Sequence, residues 1–218
     1  MNDEFPGHPI KGTVQTPKQP RLPKGCGFLL AVAGVLIFLV VGAYYYQFQI
    51  VEGVRKRVEP AAAVAISNAV QQFRADYDRL PLPSGPLPAG GDRDTDTSPA
   101  HGFVAVLLGK EWRMGDHQNM RNTNYVEGTK PAKPKPGGDY PWKDGLIFDA
   151  TTGAYGVVDY QGKPYRLRLD TNSDKQLANP NPDEVVKGRP TLSKQVIVWG
   201  AGKDGKWETW DDNPKSWD

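Results

Sequence analysis

The sequence predicts an α+β protein whose single small domain follows a long N-terminal membrane helix. Three observations make that prediction. The run FLLAVAGVLIFLVVGAYYY fills Phe28–Tyr46, and no charged residue falls between Gly25 and Val51. Beyond Pro60, the residues Ala62, Ile66, Val70, Phe73 and Tyr77 recur at the spacing of one helical face. The C-terminal half then breaks into short apolar or alternating segments separated by turn residues, the pattern of strands. A helix followed by an antiparallel meander is an α+β plan, here with a three- or four-stranded sheet. The chain divides accordingly into a tail over 1–27, a transmembrane helix over 28–51 and a folded domain over 52–218.

Composition narrows the function. The 218 residues carry a net charge of only +2, which gives no basic face for nucleic acid. Twenty prolines and 24 glycines point to turns and long loops instead of a helical bundle. One cysteine, Cys26, cannot form an internal disulfide or a multi-cysteine metal site. His8, His101 and His117 are far apart in sequence, which argues against a histidine metal centre.

The apolar run of Phe28–Tyr46, at roughly 1.5 Å per residue, reaches about 29 Å, close to a bilayer's hydrocarbon core. Tyr44, Tyr45 and Tyr46 sit at its end, where aromatic rings favour the membrane interface. A cleaved secretory signal would be shorter and end at small residues, whereas this run ends in three tyrosines. Lys11, Lys18, Arg21 and Lys24 precede the run and Arg55, Lys56 and Arg57 follow it, so the positive-inside rule is nearly balanced.

The five prolines of residues 1–24 predict a disordered tail. Pro60 is expected to kink or restart the helix. Pro81, Pro83, Pro86 and Pro88 end it and open a long loop that contains Asp92, Asp94 and Asp96. Phe103–Leu108 reads as one or two helical turns, and Gly128–Gly138 as exposed loop. Strands are expected at Leu146–Phe148, Tyr155–Tyr160, Tyr165–Leu169 and Val196–Trp199. Thr152-Gly153 and Gln161-Gly162 form the turns of the meander.

Several of these segments resemble type II secretion pseudopilins, members of the type IV pilin-like superfamily. The junction Lys24-Gly25-Cys26-Gly27-Phe28-Leu29-Leu30 looks like a prepilin signal. Asn68–Tyr77 followed by Leu80-Pro81, the set Asp159, Gly162, Pro164 and Tyr165, and the tail from Gly200 to Trp217 are similar to major-pseudopilin segments in the same order. The resemblance implies a pilin-like fold, cleavage after Gly27 by a prepilin peptidase and methylation of Phe28. It implies a bacterial inner-membrane protein with a periplasmic domain and a cytoplasmic leader. Its partners would be membrane lipid, sister pseudopilins and the inner-membrane secretion platform. Val32 stands where the family carries a glutamate that helps align subunits, and the leader is long.

In major pseudopilins the closing loop binds calcium, which implies Asp204, Asp211 and Asp212 as carboxylate ligands here. Two readings of that loop stand side by side: a calcium site, or a solvated acidic turn. Asp170-Thr171-Asn172-Ser173-Asp174 begins like an EF-hand loop, but Lys175 replaces the glycine and Asn181 the bidentate glutamate, so it reads as a polar turn. Asp92, Asp94 and Asp96 read as solvated. No phosphate loop or Gly-x-Ser-x-Gly motif is present, and the lone loop histidines read as surface residues, so an enzyme is not expected. Trp199, Trp207, Trp210 and Trp217 read as a packed sheet end ahead of a glycan platform. The alternative to a fibre subunit is a signal-anchored, non-polymerising binding module for calcium, a glycan or a protein.

Overall fold

The computed structural model describes residues 26–83, 91–111, 117–135 and 141–217, with only the helical backbone for 26–31, 52 and 54–59. The expected disorder of residues 1–24 lies outside the described residues. The chain divides into two units, one ending at Val51 and the other running from Glu52 to Asp218. Helix α1 spans Cys26–Tyr77 and includes Pro60 within it, so the expected restart does not occur.

In the first unit, Val32–Val51 is a 20-residue stretch with a mean hydropathy of 1.6 and none of it buried, long and apolar enough to cross a membrane. Phe38 is 78 % exposed and Tyr44 75 %. Side chains this apolar left this open are matched to lipid better than to water.

In the second unit, α1 behaves as its spacing predicts. Ile66, Val70 and Phe73 are buried, joined by Ala63 and Ala69, while Gln71 and Gln72 are exposed. The helix ends where Asp78 turns left-handed (φ 51°) and donates its N–H to Arg74 O at 2.8 Å. Its buried face shares one core with α2 (Phe103–Leu108) and with Leu167, Leu169, Val196 and Val198. Phe73 sits between Tyr77 and Tyr125, with ring centroids 4.6 and 5.6 Å away.

The principal sheet has the order β1–β6–β9, with β1 at Arg93–Asp96, β6 at Arg166–Leu169 and β9 at Val196–Trp199, all antiparallel. Among the described residues, three two-stranded ribbons accompany it: β2 (Lys133–Pro134) with β3 (Trp142–Lys143), β4 (Gly145–Asp149) with β5 (Ala154–Val158), and β7 (Leu177–Ala178) with β8 (Thr191–Leu192). A short helix α3, Pro182–Val186, is capped by the Asn181 side chain.

Two expectations are corrected. Asp92–Asp96 does not form a solvated loop: Arg93–Asp96 is an edge strand whose two-residue alternation matches the pleat. Nor do the C-terminal strands form one meander. β5 is bridged at Val158 to Pro164, ahead of β6, and β6 itself leaves to lie between β1 and β9. The cause is Thr97, which takes the place beside β5. Its C=O accepts the Val157 N–H at 2.9 Å and its hydroxyl accepts the Tyr165 N–H at 2.9 Å. Gly156 permits this crossing, since a Cβ there would lie 2.8 Å from Thr97 O and 2.7 Å from Pro99 Cδ.

Deleting the Phe73 ring would leave a cavity at the centre of this core. Phe73→Ala in the detergent-solubilised protein should lose about 3–5 kcal/mol of unfolding free energy, measured by chemical denaturation, whereas Gln72→Ala on the exposed face should change little.

Candidate functional site

The outer face of the principal sheet carries the densest set of polar and aromatic groups. In β6 the inward residues Leu167 and Leu169 are fully buried, so Arg166 and Arg168 point outward by the strand's alternation. Each faces an aspartate of β1 in the pairing register, Arg166 opposite Asp96 and Arg168 opposite Asp94. Arg168 grips Asp94 with both prongs of its guanidinium, at 2.6 and 2.7 Å. Asp96 turns instead to the Ser98 N–H at 2.8 Å and lies 3.5 Å from His101 Nε2. Arg166 stacks over Trp207 at 4.4 Å and meets Glu208 at 3.3 Å.

Above these rungs lies a groove of about 640 Å³, with Trp199, Trp207 and Trp210 along one side. The tryptophans also build a second core with Leu177, Leu192, Ile197 and Trp217, as their crowding in the sequence predicts. Trp199 contributes an indole N–H that is buried without a hydrogen-bond partner. Glu184 of α3 holds this region together: it accepts from Lys215 Nζ at 3.1 Å, Asn179 Nδ2 at 3.0 Å and Asn181 Nδ2 at 3.2 Å. Burial works against its charge, but the Asn179 and Lys215 hydrogen bonds outweigh that and hold its pKa below the ordinary glutamate value.

The segment Asp159–Tyr165 forms a turn that pins the closing loop. Asp159 is buried, and its Oδ1 accepts the N–H groups of Gln161 and Lys163, both at 2.8 Å. Its Oδ2 accepts the Ala201 N–H at 3.3 Å. Burial raises its pKa, against those three N–H groups. Gly162 supplies the required left-handed conformation at φ 78°.

The three loop carboxylates predicted from the sequence do not form one donor set. Asp204 accepts from Lys206 N–H at 2.9 Å and from the Thr209 hydroxyl at 2.7 Å, and the Thr209 bond leads in lowering its pKa. Asp212 accepts the Lys203 N–H at 2.7 Å. Asp211 is exposed. Among the described residues no group of three or more His, Cys, Asp or Glu side chains is placed to hold a metal ion. Asp212 Oδ1 and Asn213 Oδ1 do converge on Gly202, each 2.5 Å from where a Cβ would stand, and only glycine fits there. Gly27 and Phe28, expected from the resemblance to flank a cleavage site, lie in the first turn of α1, where only the backbone is described.

One pair was missed by the sequence reading. Continuing the β1–β6 register one step beyond Arg93 and Leu169 sets Asp92 opposite Asp170. Burial pushes the Asp92 carboxyl up; the charges of Asp174 and Asp170 push the same way, against the Ala178 N–H and Arg168. Asp170–Asp174 is otherwise the polar turn expected, with Asp170 accepting the Lys175 N–H at 2.9 Å.

No family model, no curated protein and no solved structure matches the chain.

Two substitutions probe this architecture. Asp159→Ala strands three N–H groups and should cost at least about 2 kcal/mol, read by denaturant unfolding. Glu184→Gln tests the lowered pKa. Stabilisation by the glutamate is fully present above its ordinary value of 4.5 and is lost as pH falls through the depressed folded value. The variant should be less stable than the parent at neutral pH, and the gap between their unfolding midpoints should close on acidification through that window.

Proposed function

We propose that the protein is a non-enzymatic, pseudopilin-like subunit anchored in a bacterial inner membrane, working by polymerisation and contact in a type II secretion or type IV pilus-like assembly. The observation that carries the reading is the exposed, charge-free stretch Val32–Val51. Helices of that kind bury their side chains in lipid, and can exchange lipid for sister helices at little cost because both are apolar. Beside it stand the ordered sequence likenesses from Gly27 to Trp217. Two of them coincide with defined local structure: the helix end at Tyr77 and the Asp159–Tyr165 turn. In this reading the leader is cytoplasmic, the domain from Glu52 is periplasmic, and a prepilin peptidase cuts after Gly27. Val32 in the position of the family's glutamate suits a minor or initiating subunit better than a bulk one.

A second reading draws on the tryptophan-lined groove. A concave, partly aromatic surface with arginine and aspartate in its floor suits a membrane-tethered binding module that takes a glycan or a protein partner.

The two readings part at Gly27. Intact mass and N-terminal peptide analysis of protein from native membranes should find a chain that begins at a methylated Phe28. A chain that still carries residues 1–27 would reject the fibre subunit and leave the tethered module.

A further inference from the structure

The outer face of β1 and β6 is a ladder of opposed charges with one faulty rung. Asp94 faces Arg168 and Asp96 faces Arg166, two pairs of opposite sign. The ladder ends at Arg93 and Leu169, and continuing its register one step sets Asp92 against Asp170 on that face, two acids. Directly opposed like charges in an antiparallel pair repel, because their Cβ atoms stand only about 5 Å apart. Here the repulsion is sharpened by burial. Asp170 is 3 % exposed. Its Oδ2 is used by the Lys175 N–H, and its Oδ1 is buried without a hydrogen-bond partner. Asp92 Oδ1 is likewise buried and unpartnered. Two such carboxylates, each with one buried oxygen that no N–H or O–H satisfies, form a costly arrangement unless something positive joins them.

The surroundings add further negative charge and oxygen. Burial raises the Asp92 pKa, and the charges of Asp174 and Asp170 act in the same direction. The Thr171 hydroxyl donates to Gly91 O, which ties the Asp170–Asp174 turn to the residue before Asp92. Asn172 and Asp174 are bonded to each other across the turn, Asn172 Nδ2 to Asp174 Oδ2 at 3.0 Å. The side is therefore closed by the fold, not by a chance approach of two surface acids.

We propose that Asp92 and Asp170 form a binding site for a divalent cation of the oxygen-seeking class, calcium above all, held between their two unpartnered carboxylate oxygens. Calcium accepts six to eight oxygens with loose geometry, so main-chain carbonyls and water complete the shell. Magnesium, which demands a tight octahedron and gives up water reluctantly, fits a partly buried pair less well. The ion would lock the entry of β1 onto the exit of β6, two segments far apart in the chain. This site is distinct from the closing loop, where Asp204 and Asp212 already spend oxygens on local N–H and hydroxyl donors. It does not depend on the fibre-subunit reading.

The test is thermal unfolding of the full chain in detergent, stripped with chelator and titrated with calcium or magnesium. Calcium at about 100 times its Kd should raise Tm by roughly 5–10 °C, saturably, with a smaller magnesium response. Asp92→Asn and Asp170→Asn should each abolish the shift, and each should melt above the parent in chelator because the repulsion is relieved. Asp204→Asn should keep the full calcium response. Calorimetric titration of the parent, with calcium alone, gives a readout that needs no variant to fold. The proposal is overturned by an absence of calcium binding to the parent. A shift that survives both Asp92→Asn and Asp170→Asn would overturn it equally. So would a chelator-treated protein that is stabilised only by acid, since the two carboxylates would then share a proton and no metal.

Discussion

Strand β6 has to serve two incompatible environments at once, and the architecture of the domain follows from how it does so. Its four residues alternate leucine and arginine. Leu167 and Leu169 are fully buried against the face of α1 that carries Val70 and Phe73. Arg166 and Arg168 are thereby forced to the opposite face, where they need acids and aromatic rings. A one-residue slip would exchange the two sets and bury both guanidinium groups. The register of β1 and β9 on either side is held by the same requirement.

The long loops that the prolines and glycines demand are held mostly by buried side chains that accept main-chain N–H groups. Asp159 closes the turn before β6 and reaches the Ala201 N–H. Glu111, 3 % exposed, accepts the N–H groups of Gln118 and Asn119 at 3.0 and 2.6 Å. Asn119 then bonds Val106 O, Thr123 and the Tyr77 hydroxyl, which fastens that loop to the end of α1. Each is a buried polar group that would be costly alone and is stabilising because its partners are supplied by backbone the loop could not otherwise satisfy. This is how a domain of short strands keeps its shape with modest ladders.

The two units present opposite kinds of surface. Between Val32 and Val51 the apolar side chains stand exposed, while the second unit hides its own apolar stripe and displays charge. That contrast is what a membrane segment and a water-facing domain require.

Local pattern was enough to read the helical stripe from Ala62 to Tyr77, the short helix Phe103–Leu108, the β4–β5 hairpin and the packing of the terminal tryptophans. Each depends on residues close in sequence, where a period of two or 3.6 speaks directly. Partner choice among strands was not legible. β1 and β6 lie far apart in the chain, and a four-residue strand of Arg-Asp-Thr-Asp carries no apolar signal to mark it. Only the fold sets Asp94 on Arg168 and Asp92 against Asp170, because opposition across a sheet is a property of register and not of spacing along the chain. By itself the sequence determined a membrane-length helix, an amphipathic continuation and a set of short strands. The tertiary structure decided which strands meet and which carboxylates face each other, since burial on one side of β6 dictates what its other side must hold.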